Sequence, residues 1–244
     1  YAFSENRLID SRELEGLERT SAISLGWGVD YRADKLSANI ENSGSYNINV
    51  SGEVDITDQF IAILKTESSK SVEGILVLAI YGHGMWPSND IKTAMYGRTE
   101  SHGIAGYISP DGLLKIREAV KSGEIKFAPG AVVLFNVCYA GYKNVTRNDK
   151  YYSFADLFSI YMKVTSIAAT NKVAPLDETG NKQLLNTYDG GEWKSISPTG
   201  KTTNLGGNPI DFIEKAKEVN EAFDAEYPVE RMTPISVNYL SVPQ

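Results

Sequence analysis

Across 244 residues the chain carries 24 Lys and Arg against 31 Asp and Glu, a net charge of −7, with no basic run. That balance excludes a general grip on the nucleic-acid backbone, which needs a concentrated basic surface. No segment approaches the ~18 consecutive apolar residues of a membrane span, and one cysteine excludes both an internal disulfide framework and a thiolate-rich zinc site.

A hydrophobic share of 42% is ordinary for a globular protein and leaves enough apolar material for a sizeable core. The chain begins at Tyr1 rather than Met, as expected of a fragment or a processed or trimmed form, from which any targeting signal could have been removed. In residues 1–45, Leu8, Leu14 and Leu17 stand at loosely helical spacing, and SAISLGWGVDY suggests a strand. SYNINVSG, 45–52, alternates polar and apolar residues and predicts a strand. Asp55 and Asp58 flank the start of a short helix with Phe60, Ile61 and Leu64 on one face.

From Gly74 the pattern sharpens. Residues 75–81 are continuously apolar, as expected of a parallel strand covered on both faces. A Gly-, Ser- and Asn-rich loop follows over 82–108. SPDGLLKIREAVKSG then predicts a helix capped by Ser109, with Pro110 in its first turn and Gly123 at its end. AVVLFNV, 131–137, is a second buried strand. Residues 152–164 predict a helix and TSIAAT, 165–170, a third strand. A pair of short strands is expected around QLLNTYDGGEWKSIS, turned at Asp189-Gly190-Gly191. Asn208-Pro209 opens a helix through Phe223. Stretches 143–150 and 200–208 are expected as surface loops. Strands alternating with helices imply a three-layer α/β/α sandwich around a mostly parallel sheet.

Two stretches carry chemistry. GILVLAIYGHGM, 74–85, ends an apolar strand in Gly82-His83-Gly84. GAVVLFNVCYAG, 130–141, ends another at Cys138. In an open α/β sheet, ligands bind beyond the carboxyl ends of the strands. Two parallel neighbours would therefore present His83 and Cys138 at one edge. A thiol beside an imidazole is an activated nucleophile, and the imidazole later protonates the leaving group. Gly82 and Gly84 let the backbone turn and a substrate approach. The N–H groups of Gly84 and Cys138 are candidates for an oxyanion hole. Against this, a lone cysteine on a buried strand is usually a small core residue, and a histidine among glycines is often exposed surface.

The motifs YGHG, 81–84, and NVCYAG, 136–141, resemble those of the caspase-like (clan CD) cysteine peptidases, which include caspases, metacaspases, legumain, clostripain and gingipains. The order His before Cys matches, and the two stand 55 residues apart, near the ~50 of caspases. The resemblance covers roughly residues 70–196. It implies a caspase-like sheet and a Cys-His dyad that needs no acidic third member and no cofactor or metal for the chemistry. It also implies a protein or peptide substrate, with activation by calcium or loop cleavage in some members. Where caspases have Gln-Ala before the cysteine, this chain has Asn136-Val137. The resemblance places Asn136 in the pocket for the side chain preceding the cut, where metacaspases carry Asp, so that basis for basic specificity is missing. Asn171 and Lys172 are further candidates for this pocket. Lys172 favours an acidic side chain and the nearby Asp177 a basic one.

SIAATNKVAPLD followed by GGEWKSISPTG is similar to caspase-like domains of bacterial multidomain surface proteins and toxins. That resemblance suggests a bacterial source, a secreted or cell-surface setting and further domains outside this chain. The expected division is 1–70 as a pro-segment or the first part of the fold, and 71–244 as the peptidase domain. The function expected is a cysteine endopeptidase, with self-cleavage near Lys143, Arg147 and Lys150. The rivals are a non-catalytic interaction module and a ligand-triggered autoprocessing domain. The last needs a dense basic pocket, and this acidic chain offers scattered lysines. His102 lies in a second His-Gly without a preceding apolar strand and is expected at the surface. Asp111 and Glu118 are expected as solvated charges, and Trp27, Trp86 and Trp193 as core or rim.

Overall fold

The computed structural model describes residues 19–25, 43–48, 50, 52–84, 95–98, 104–143, 145–147, 150–175, 185–187 and 191–205. β1 (Arg19–Leu25) and β2 (Ser43–Ile48) overlap the strands expected at SAISLGWGVDY and SYNINVSG, and they pair in parallel. Helix α1 (Thr57–Ser68) follows. The Asp55 carboxylate accepts the Thr57 N–H at 2.9 Å, satisfying one orphan donor of the first turn. Phe60 and Leu64 are buried, as their spacing requires, and Ile61 is half-buried.

β3 (Ile75–Tyr81) is buried at every position. The stretch expected as one long loop instead contains a small antiparallel sheet of β4 (His83–Gly84), β5 (Met95–Arg98) and β6 (Ile104–Ile108). Strands of two to five residues show no readable period. They hold here by pairing with one another, Gly84 opposite Met95 and Tyr96 opposite both His83 and Tyr107.

Helix α2 (Gly112–Lys121) starts later than its sequence suggests, so Pro110 precedes it. The N-cap position is Asp111 rather than the expected Ser109, although the Ser109 hydroxyl accepts the Gly112 N–H at 3.2 Å. Gly123 stands beyond the helix end at φ +78. β7 (Phe127–Asn136) lies beside β3. The expected loop at 143–150 contains part of a hairpin, β8 (Val145–Arg147) with β9 (Lys150–Tyr152). Helix α3 (Phe154–Met162) opens on a full capping box. The Ser153 hydroxyl accepts the Asp156 N–H, and the Asp156 carboxylate accepts the Ser153 N–H. β10 (Thr165–Ala169) is the predicted third strand.

The hairpin expected about 189–191 is not formed between the two runs around it. β11 (Val173–Pro175) takes β12 (Leu185–Thr187) as its partner. β13 (Trp193–Ile196) joins the central sheet against β10 and pairs with β14 (Thr202–Leu205). Part of the expected 200–208 loop is therefore strand. Runs this short do not encode their partner; the open edge of β10 decides it. The helix expected at 208–223 lies outside the described residues.

The central sheet has the order β14-β13-β10-β7-β3-β1-β2, with β2, β1, β3, β7 and β10 parallel. This is the mixed α/β architecture expected from the sequence, a mostly parallel central sheet with helices packed against it. Strands 19–25 and 43–48 belong to this same sheet. The three described helices cover one face, where Phe60, Leu113, Phe154 and Phe158 meet Ile80, Val133 and Phe135. Phe135 contacts Phe154 and Phe158 edge-to-face, with centroids 6.0 and 5.3 Å apart. Each such pair contributes about 0.5–1.5 kcal/mol beyond burial. The other face carries Val77, Ala79, Tyr81, Val132, Leu134, Ile167, Ala169 and Trp193. Strand order reverses between β1 and β3, which puts a topological switch point next to the end of β3.

Candidate active site

Register brings the two sequence motifs together. Tyr81, the last residue of β3, is the parallel partner of Asn136, the last residue of β7. Adjacent strands lie about 4.8 Å apart. Two residues further along each chain come His83 and Cys138, both half-buried. The two groups therefore rise from neighbouring strands at the same edge of the sheet.

Gly84 fixes how close the two motifs come. A Cβ built there would stand 1.6 Å from the Cys138 carbonyl oxygen and 3.2 Å from Val137 Cγ1. Only glycine fits. The chain after Cys138 is tied down on two sides. Tyr139 donates its N–H to the Asn171 carbonyl at 3.0 Å, and Gly141 donates to the Ala169 carbonyl at 2.8 Å. The Ala140 carbonyl accepts the N–H of Ala155 in the first turn of α3 at 3.0 Å. Tyr139 has φ 60, a left-handed conformation that a bulky residue adopts only when its surroundings impose it. The thiol is thus carried on a constrained turn clamped between β10 and α3.

Cys138 Sγ accepts the Val173 N–H at 3.4 Å, and the thiol faces the Val173 carbonyl at 3.8 Å. β11 therefore lies against the thiol. Asn136 is 8% exposed. Asn171 does structural work at the rim, since its carbonyl holds Tyr139 and its Oδ1 accepts the Lys172 N–H at 2.8 Å. Lys172 is exposed. Asn136, Asn171 and Lys172 therefore sit on the two strand ends that hold the turn.

Burial pushes the Tyr81 phenol far above its ordinary range, and neighbouring Asn136 offsets part of that. The Tyr81 hydroxyl nevertheless makes no well-formed hydrogen bond, and neither does the Trp193 indole N–H. Sequence reasoning passed over Tyr81 and Val173 and read Trp193 as core or rim. Counting back two residues from His83 and from Cys138 reaches Tyr81 and Asn136, a signal that was legible. The contact of Val173 with the thiol had none.

His102, Trp27, Trp86 and Asp177 lie outside the described residues. Asp111 and Glu118 are exposed, with Lys121 3.2 Å from Glu118, as expected of solvated charges. Among the described residues no cluster of three metal-ligating side chains occurs, and no helix is long and apolar enough to cross a membrane.

No protein-family model matches the chain, and no curated protein resembles it. Among solved structures it is similar to a secreted C11 cysteine protease from Bacteroides thetaiotaomicron, determined with an irreversible peptide inhibitor. The identity is 12% and the TM-score 0.36, over 64% of this chain and 49% of that one. The chain thus matches about half the length of that protein.

Proposed function

We propose that this chain is a cysteine endopeptidase of the caspase-like type, with Cys138 as nucleophile and His83 as general base and acid. The observation that supports it most is the placing of His83 and Cys138 at the ends of adjacent parallel strands, with Gly84 against the Cys138 carbonyl. The constrained Tyr139 turn adds to it, because such backbone is found where a side chain must be held in one place.

In this mechanism His83 takes the thiol proton and Cys138 Sγ attacks the scissile carbonyl carbon. The carbonyl π electrons move to oxygen, and the N–H groups of Gly84 and Cys138 face the oxyanion. The C–N bond then breaks, with His83 protonating the amine that leaves. Water, deprotonated by His83, hydrolyses the thioester and restores the thiol. Asn136, Asn171 and Lys172 border the substrate. Self-processing belongs to the same proposal, at the β8–β9 hairpin, where Lys143 and Lys150 are exposed.

The test is cleavage of a mixed peptide library by the parent and by Cys138→Ala, read by mass spectrometry. Products from the parent alone support the proposal, and equal products from both refute it. A second reading, a non-catalytic interaction module, draws on the Val173 backbone lying against the thiol. It predicts no cleavage, together with a partner that binds Cys138→Ala as tightly as the parent.

A further inference from the structure

The sheet register lays out a row of side chains just below the candidate dyad. Tyr81 pairs with Asn136. Ala168 pairs with Phe135, which puts Ala169 beside Asn136. Ala169 pairs with Trp193. The row therefore reads Tyr81, Asn136, Ala169, Trp193 across four strands. Tyr81, Ala169 and Trp193 share one face and one apolar cluster. Ala169 is the small member, a methyl group set between the larger side chains.

The row has unusual chemistry for its depth. Tyr81 is 1% exposed and Trp193 5% exposed. Neither the Tyr81 hydroxyl nor the Trp193 indole N–H makes a hydrogen bond of good geometry, and the polar side chain beside Tyr81 is Asn136, within the row itself. A buried donor without a well-formed bond costs about 1–3 kcal/mol, and here two lie in one row directly below the candidate dyad. Both are donors, and the Asn136 carboxamide supplies more. The row holds no carboxylate and no cation. Burial keeps the Tyr81 phenol protonated, hence a donor.

Resting on the peptidase reading of the site, we propose that this row is the floor of the pocket for the residue preceding the cut. Its ligand is a side chain bearing an acceptor oxygen, a carboxamide in first place. Tyr81 and Trp193, at the two ends of that floor, offer their donors to that oxygen. A carboxamide of Asn or Gln also has an N–H2 for the Asn136 oxygen. A carboxylate is accepted less well, since entry strips its water and meets only neutral donors. Lys and Arg bring donors to donors and are rejected. Val173 packs on the same cluster while its N–H bonds the thiol, so it is the group that an entering side chain displaces.

The experiment compares kcat/KM on a peptide panel that differs only in the residue before the cut: Asn, Gln, Asp, Glu, Leu, Lys and Arg. It is run on the parent, Tyr81→Phe and Trp193→Phe. The expected order puts Asn or Gln about tenfold or more above Lys and Arg. Tyr81→Phe, which is isosteric at the ring, cuts the Asn-to-Leu or Gln-to-Leu ratio by about 3- to 10-fold. Trp193→Phe moves the ratio the same way and serves if Tyr81→Phe does not fold. A preference for Lys or Arg overturns this inference and leaves the peptidase reading standing, as does an unchanged ratio in the folded variants. If the parent cleaves none of the panel and no peptidyl vinyl sulfone labels Cys138, the peptidase reading fails and takes this inference with it.

Discussion

Gly84 rests directly on the Cys138 carbonyl oxygen, with no room for a Cβ between them. The two residues come from different strands and are 54 positions apart. Their contact sets the height of the histidine strand against the cysteine turn. Gly84→Ala must push one of the two backbones away. The expected result is a loss of about 1–3 kcal/mol in chemical denaturation. A larger fall in peptidase kcat/KM than the folded fraction explains should accompany it. An unchanged midpoint and unchanged kcat/KM would show that the contact sets nothing.

His83→Ala should leave the fold intact, because His83 is half-buried and lies in a two-residue strand. Turnover should fall by about 10²–10⁴, the usual worth of a positioned acid-base group. Cys138→Ala should abolish it. Circular dichroism and kcat on the same preparations check both statements.

The alkaline side of the stability profile should be steep. Tyr81 is raised by burial, and Lys70 is raised chiefly by its hydrogen bonds to Glu67 and Tyr46. A group with a raised folded-state pKa keeps its proton in the native state after the unfolded chain has lost it. Its stabilising contribution is therefore present below the ordinary value and declines above it. Those ordinary values are 10.0 for Tyr81 and 10.5 for Lys70. Denaturation midpoints should fall from about pH 10 upward. The Lys70 part is the smaller, because its side chain is 41% exposed. Tyr81→Phe should flatten the fall, because it removes the phenol whose pKa burial raises.

The outer strands are pinned by one buried carboxylate. Glu67 of α1 accepts hydrogen bonds from Ser21 of β1 at 2.7 Å, from Tyr46 of β2 and from Lys70. Glu67→Leu should cost about 1–3 kcal/mol by taking the acceptor from the Ser21 and Tyr46 hydroxyls, Tyr46 keeping its bond from Lys70 at 2.8 Å. The cost should be recovered in part in Glu67→Gln. Peptidase activity per folded molecule should not move in either, because the network lies on β1, β2 and α1 rather than on β7 or β10. A selective loss of activity would mean that β1 and β2 shape the site.

The parts of the molecule legible in the sequence are those where burial is two-sided. β3 and β7 are continuous apolar runs, and the residues beyond them are a histidine and the only cysteine, so the edge they form could be read directly. Pairing was not legible. β12 and β13 each have three or four residues, and β10 offers an edge that β13 takes in preference to β12. The same holds for β4 to β6, where the strands are too short for a period. Capping was partly legible, since Ser109 bonds the first helical N–H from three residues ahead of it, while the N-cap itself is Asp111. The placement of Val173 against the thiol depends on how β11 folds back, and no local pattern encodes that.

The most direct test of the central claim is the rate of Cys138 alkylation by iodoacetamide at neutral pH, followed by intact mass. It is measured in the native parent, in native His83→Ala and in both after unfolding in urea. The account predicts that the native parent reacts faster than its unfolded chain, and that His83→Ala loses this advantage by about tenfold or more. A native thiol that reacts more slowly than the unfolded chain, equally in parent and variant, would contradict it.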